Sequence, residues 1–313
     1  MHRSIRILCA FAALAAVPAP AHAQAKPSNP FAIEENAVTR VSEHVYMIPC
    51  RTRPGVPNVV IVVGSRATLV FDTGMGPLNG RIVARELQRL TKSPKIYLST
   101  TDMRPEHTTG VQTLPAGTLW IVPEAQREEI SRETMQYAER FRARNAELRE
   151  VLEGLALPTP DVIFDREATL DLGGVTARLL WYGPTLTRGD TLVMVNEDSV
   201  LISGNLVHSK AFLGMPPTIA SVNNWLAGLD KVEALHPRTI VPNHGDTRDF
   251  SMIAAERDLL RQLQKRALEL KAQGVSVKDA GTTLLAEFKT KYPDWTDLDA
   301  VPNIVLRIFA EAQ

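Results

Sequence analysis

Short apolar runs rich in β-branched residues recur along this chain, and most of them end in a polar cluster. Runs at 45–49, 58–64 and 67–72 follow one another, and Leu, Ile and Val at helical spacing then occupy 78–90. Further runs lie at 95–100 and 118–123. Brief apolar runs bounded by turn residues predict strands, and the 3.6-residue period predicts a helix between them. Residues 124–155 are highly charged, with Ile130, Met135, Phe141, Leu148 and Leu152 recurring near the helical period, which predicts one long amphipathic helical stretch. A second block of strands is predicted at 162–164, 168–172, 175–182, 191–196 and 200–203. A helix over 222–235 and a last strand over 239–242 follow, and the pattern from 250 onward is helical with a break at Gly274. Two strand-rich halves, each with its helices, predict an α/β sandwich of two sheets covered by helices. No internal repeat and no low-complexity tract interrupts it.

The beginning of the chain reads differently. Arg3 and Arg6 precede an apolar run at 7–17, and Ala21-His22-Ala23 is a small-x-small cleavage pattern. The run is too short for a bilayer anchor, and Pro18 and Pro20 would break a helix continuing from it. Residues 1–23 therefore read as a signal peptide, which predicts an exported protein, periplasmic or secreted. Removing it leaves 33 Lys+Arg against 35 Asp+Glu, a net charge of −2, which argues against nucleic acid as a partner. Five His remain (His44, His107, His208, His236 and His244), and Cys50 is the remaining Cys, so no intrachain disulfide is expected. No later segment is apolar enough to span a membrane. Cys50 reads as a small buried residue, with a reactive thiol as the alternative.

The polar clusters come in a fixed order. Asp72-Thr73-Gly74 ends one strand, and Asp102-Met103-Arg104-Pro105-Glu106-His107-Thr108-Thr109-Gly110 follows another. Gly183-Pro184-Thr185-Leu186-Thr187-Arg188-Gly189-Asp190, then Gly204-Asn205, then Pro242-Asn243-His244-Gly245 complete the series. Ligands of α/β proteins collect at such strand C-termini. In this order the motifs resemble the metallo-β-lactamase fold superfamily, over roughly residues 40–248. The resemblance implies an αββα sandwich of two mixed β-sheets covered by helices. It divides the chain into a signal (1–23), a linker (24–39), the metallo-β-lactamase-like domain (40–248, with a helical insertion at about 124–155) and a C-terminal helical extension (249–313).

Members of that superfamily usually hold one or two metal ions that turn a bound water into hydroxide. Their ligand loop reads His-x-His-x-Asp-His, and this chain departs from it at most positions. Asp102 and Arg104 stand where the first two His are expected, and Glu106 stands at the Asp. His107 is kept, Leu186 stands at the third His, Asn205 replaces the bridging Asp, and His244 is kept. A guanidinium cannot ligate a metal and Leu has no donor atom, so the first metal site is lost. Arg104 then either pairs with Asp102 in place of the missing cation or faces solvent.

The second site keeps Glu106, His107 and His244, with Asn205 nearby, a set that could hold one zinc ion and leave a position for water. Asp72 is expected to orient the ligand loop through hydrogen bonds rather than ligate. Asp190 and Thr187 read as structural parts of a tight Gly loop, and His208 as lining the pocket or supporting it. Two functions remain open. One is an exported hydrolase with at most one zinc, acting on an ester, amide, lactone or phosphoester, with Glu106 and Arg104 as catalytic candidates. The other is an inactive relative, with no metal, that binds a ligand or partner. A small-molecule substrate is expected on the first reading, and the oligomeric state is open.

Overall fold

The structure, a computed structural model, describes residues 29–49, 56–210 and 220–312. The signal at 1–23 and Cys50 lie outside the described residues.

Two sheets form its centre. The first runs in chain order through β1 (Thr39–Arg40), β2 (Val45–Ile48), β3 (Val59–Val63), β4 (Thr68–Phe71), β5 (Ile96–Ser99), β6 (Leu119–Pro123) and β7 (Val162–Phe164). Pairing is antiparallel from β1 to β4 and parallel from β4 to β7. The second has the order β12-β11-β10-β9-β8, built from β8 (Glu167–Asp171), β9 (Thr176–Trp181), β10 (Thr191–Val195), β11 (Val200–Ile202) and β12 (Thr239–Val241). Its one parallel pair joins β11 to β12. Both sheets are therefore mixed.

Burial on both faces explains the nearly continuous apolar runs of the inner strands. Alternate side chains of the first sheet, among them Val60, Val62, Leu69 and Phe71, meet Leu179, Val193, Val195 and Ile202 of the second. The other face of the first sheet (Ile61, Val70, Leu98) packs against Ile82, Val83 and Leu87 of α1 (Gly76–Leu90). The other face of the second sheet (Leu180, Leu192, Leu201) shares one core with α6 (Val222–Glu233), α7 (Ser251–Ala272), α8 (Val277–Lys291) and α9 (Val301–Glu311). The result is the αββα sandwich, and the C-terminal helices are one of its covering layers.

Residues 124–155 differ from the single stretch that their periodicity predicts. α3 (Glu124–Glu129) runs into a π-helical turn at Ile130–Thr134, then α4 (Met135–Arg142), and the chain restarts as α5 (Ala146–Val151). The break is capped, because the Asn145 side chain accepts from Leu148 N at 2.8 Å. The π-turn points Thr134 inward, where its hydroxyl donates to the Met103 carbonyl. α5 then returns to α1 so closely that a Cβ at Gly76 would stand 1.9 Å from the Val151 carbonyl oxygen.

Candidate functional site

The sheet edges place four loops together. Asp72 ends β4 with φ +68°, a left-handed conformation that an Asp side chain tolerates better than a branched one. Its fully buried carboxylate accepts from Thr101 N at 2.7 Å, from Thr101 Oγ1 at 2.8 Å and from His107 Nδ1 at 2.9 Å. Asp72 thus holds both ends of the loop that leads from β5 into the one-turn α2 (Pro105–Thr108), which is the orienting role its position predicts.

Asp102 stands at the centre of that loop, and nothing of it is exposed. Its Oδ1 accepts from Arg104 N at 2.7 Å, and its Oδ2 from Arg104 Nε at 2.8 Å. Arg104 Nη2 is 2.7 Å from the same Oδ2, and Asn205 Nδ2 donates to it at 2.8 Å. Arg104 therefore pairs with Asp102, and the solvent-facing alternative is excluded, since its side chain is only 11% exposed. Burial opposes both charges, but each partner outweighs that penalty for the other. The Asp102 carboxyl is held below the usual range and the Arg104 guanidinium is raised, with Glu106 and Asp190 adding to the effect on Arg104.

Around this pair the residues divide. Glu106 Oε1 lies 3.8 Å from Arg104 Nε, and Glu106 Oε2 is buried without a hydrogen-bond partner. His107 Nε2 lies 3.8 Å from Asp102 Oδ1 and is likewise buried and unpartnered. Burial works against charge on His107, but Asp72 and then Asp102 push its pKa up to about 9. His244 is the opposite case, lowered well below the ordinary histidine value by burial first and then by His107, His208 and Arg104. The two buried imidazoles are thus shifted in opposite directions.

Among the described residues, no group of three His, Cys, Asp or Glu side chains converges as a ready metal site. Glu106 and His107 lie beside the Arg104–Asp102 pair, and their neighbours bear on what the site can hold. Asn205 turns its NH₂ toward Asp102, and its Oδ1 accepts from Asn243 at 3.4 Å. A fixed guanidinium beside Glu106 repels a second cation. Leu186, where a third His would stand, is buried in the apolar core between the second sheet and its helices.

Other side chains organise the site from a distance. Asn243 Nδ2 donates to Thr101 Oγ1 at 2.8 Å, extending the chain of bonds to Asp72. Asp190 Oδ2 accepts from Thr185 Oγ1 and Thr187 N, as its tight loop predicts. From α3, Glu129 accepts the N–H groups of Arg188 and Gly189, each at 3.0 Å. Gln126 Nε2 donates to the carbonyls of Thr100, Thr101 and Gly189. Burial, then Asp190 and Asp102, push the Glu129 carboxyl up to about 8 against these backbone bonds. Neither Gln126 nor Glu129 stands out in the sequence, where both merge into a charged helical pattern.

The architecture has solved counterparts. A metallo-β-lactamase from Pontibacter korlensis superposes with a TM-score of 0.58 at 18% identity, over 72% of this chain and 98% of its own. The stereoselective inverting sec-alkylsulfatase Pisa1 from Pseudomonas sp. gives 0.67 at 15% identity, over 87% of this chain. A double mutant of the sec-alkylsulfatase PisA1 gives 0.69 at 14%, over 88%. This chain spans half the length of the sulfatase in both cases. No sequence-family model and no characterised protein matches the chain by sequence. The chain has the metallo-β-lactamase fold, and at these identities the likeness concerns fold alone.

Proposed function

We propose that this protein is an exported, metal-independent variant of the metallo-β-lactamase fold whose pocket binds a small molecule. The observation that carries the reading is the Arg104–Asp102–Asn205 cluster. At positions where the fold's hydrolases place metal ligands, one carboxylate accepts Arg104 N, Arg104 Nε and the Asn205 amide, with Arg104 Nη2 in ion-pair contact, so a fixed organic cation stands in for a metal ion. Export rests on the charged start, apolar run and Ala-x-Ala pattern of residues 1–23. In this pocket His107, held by Asp72, and Arg104, held by Asp102, orient polar groups of the ligand.

The test is metal content of the purified full-length protein before and after zinc loading, followed by gel filtration. Well under one metal per chain in both samples is expected. One zinc per chain that is lost in His107→Ala and His244→Ala would overturn the proposal. It would favour the second reading, a hydrolase with one zinc on Glu106, His107 and His244. The buried Glu106 Oε2 and His107 Nε2, each without a partner, speak for that alternative.

A further inference from the structure

His208 is a buried imidazole that the cluster above does not use. It follows β11 by a few residues, and one of its partners comes from the C-terminal extension. Glu256 of α7 faces it with both oxygens, Oε2 at 3.3 Å from His208 N and Oε1 at 3.4 Å from His208 Nδ1, and both side chains are 1% exposed. Trp225 of α6 closes one side with an edge-on ring, centroids 5.8 Å apart at 82°. The Trp225 indole is itself fixed by a 2.8 Å bond to the Leu206 carbonyl. A carboxylate at Nδ1 selects the tautomer with the proton on Nδ1 and leaves a lone pair on Nε2. That Nε2 is buried and has no hydrogen-bond partner.

His208 belongs to the same neighbourhood as the other imidazoles. Ser209 N donates to the His244 carbonyl at 3.4 Å, which ties the segment carrying His208 to the loop carrying His244. An unsatisfied acceptor this deep is costly unless something donates to it. The other unpartnered imidazole nitrogen, His107 Nε2, belongs to the ring held by Asp72.

We infer that Glu256 positions His208 so that its Nε2 accepts a hydrogen bond from a hydroxyl or amine of the bound molecule, which makes the C-terminal helical extension part of the binding site. This rests on the metal-independent reading and deepens it by naming one chemical group of the ligand. Glu256 is a positioning residue and His208 the contacting one.

The experiment uses the full chain, uniformly ¹⁵N-labelled, with histidine tautomers read by long-range ¹H–¹⁵N correlation. Glycolate and acetate serve as probes, because they share a carboxylate and differ in one hydroxyl. His208 is expected to be protonated on Nδ1, its Nε2 resonance to shift with glycolate and not with acetate, and glycolate to bind about tenfold more tightly. Glu256→Gln is expected to abolish the tautomer preference while the protein stays folded. His208→Phe, which keeps a ring against Trp225, is expected to equalise the two affinities. A His208 protonated on Nε2, equal binding of the two probes by the wild type, or no binding of either overturns the inference. Metal analysis on the same sample separates the outcomes. Bound zinc defeats the metal-independent reading, whereas a metal-free protein that ignores the hydroxyl defeats this inference alone.

Discussion

Arg104 binds Asp102 with its own backbone nitrogen and with its guanidinium at once, so one residue both shapes the loop and neutralises the carboxylate it encloses. The pair is almost dry, at 11% and 0% side-chain exposure. Breaking such a pair from one side leaves an uncompensated buried charge, which typically costs about 3–5 kcal/mol. Arg104→Gln is therefore expected to lower the denaturant midpoint strongly, and Asp102→Asn on its own to leave a buried guanidinium and do the same. The double variant, with both charges gone, should recover much of the loss. Chemical denaturation of the three proteins checks this, and additive losses in the double variant would mean that the pair is not coupled.

Asn205→Asp restores the acid that the fold's hydrolases carry at this point, and it tests what now occupies the site. The amide nitrogen that donates to Asp102 at 2.8 Å becomes an oxygen, so two carboxylates compete for Arg104. Like charges this close cannot both ionise, and one of them takes up a proton. The variant is expected to be less stable than the wild type at neutral pH and to regain stability as pH falls toward 5. Thermal midpoints across that range check it. A variant as stable as the wild type at pH 7 would show that Arg104 can serve both groups.

Much of this was legible in the residue order. The strands are short apolar runs with turn residues at each end, and the sandwich places them within a residue or two of the expected bounds because both faces of each inner strand are buried. Asp72, Asp102, Arg104, Asn205 and His244 stand out only through the resemblance that the order of the strand-end motifs carries. Their partners do not. Nothing local distinguishes an Asn205 that offers its oxygen to an ion from one that offers its nitrogen to Asp102, since the choice depends on Asn243 packed against its other end. Gln126, Glu129 and Glu256 lie in amphipathic helices where a polar residue usually faces water, and only the tertiary fold turns these three inward. The π-turn at Ile130–Thr134 was hidden for the same reason, because it disturbs the helical period by a single residue.

The loop at 187–190 touches α3 with no space to spare. A Cβ added to Gly189 would stand 2.3 Å from Gln126 Cβ and 2.6 Å from Gln126 N, which is backbone and cannot swing away. Gly189→Ala must push the loop off α3, stretching the bonds from its N–H to Glu129 and from Gln126 to its carbonyl. The expected result is a lowered thermal midpoint and faster exchange of the Arg188 and Gly189 amides, while amides of β2 and β3 on the far side stay protected. Hydrogen exchange read residue by residue checks this, and unchanged protection at 188 and 189 would mean that the loop is held by other contacts.

Glu129 gives that same contact a pH dependence whose direction can be worked out. Its carboxyl is pushed up to about 8 in the folded chain from an ordinary 4.5, so the folded state holds the proton more tightly than the unfolded state. The stabilisation is fully present below pH 4.5 and is lost as pH rises through about 8. His107, pushed up to about 9 from 6.5, acts in the same direction over a higher window, present below 6.5 and lost as pH rises through 9. His244, lowered well below 6.5, acts the other way, because the unfolded state then holds the proton more tightly and stability is lost as pH falls below 6.5. The wild type should therefore change little from pH 5 to 6.5, where the two slopes oppose, and lose stability from pH 6.5 to 9. Glu129→Gln removes the titration while keeping the shape of the side chain. Its thermal midpoint should rise from pH 5 to 6.5, where His244 alone responds, and fall above that only in the range where His107 responds. Melting curves at constant ionic strength check this, and a Glu129→Gln profile identical to the wild type below pH 6.5 would place the proton on another group, with Asp190, also raised by burial and by Asp102, the next to be tested.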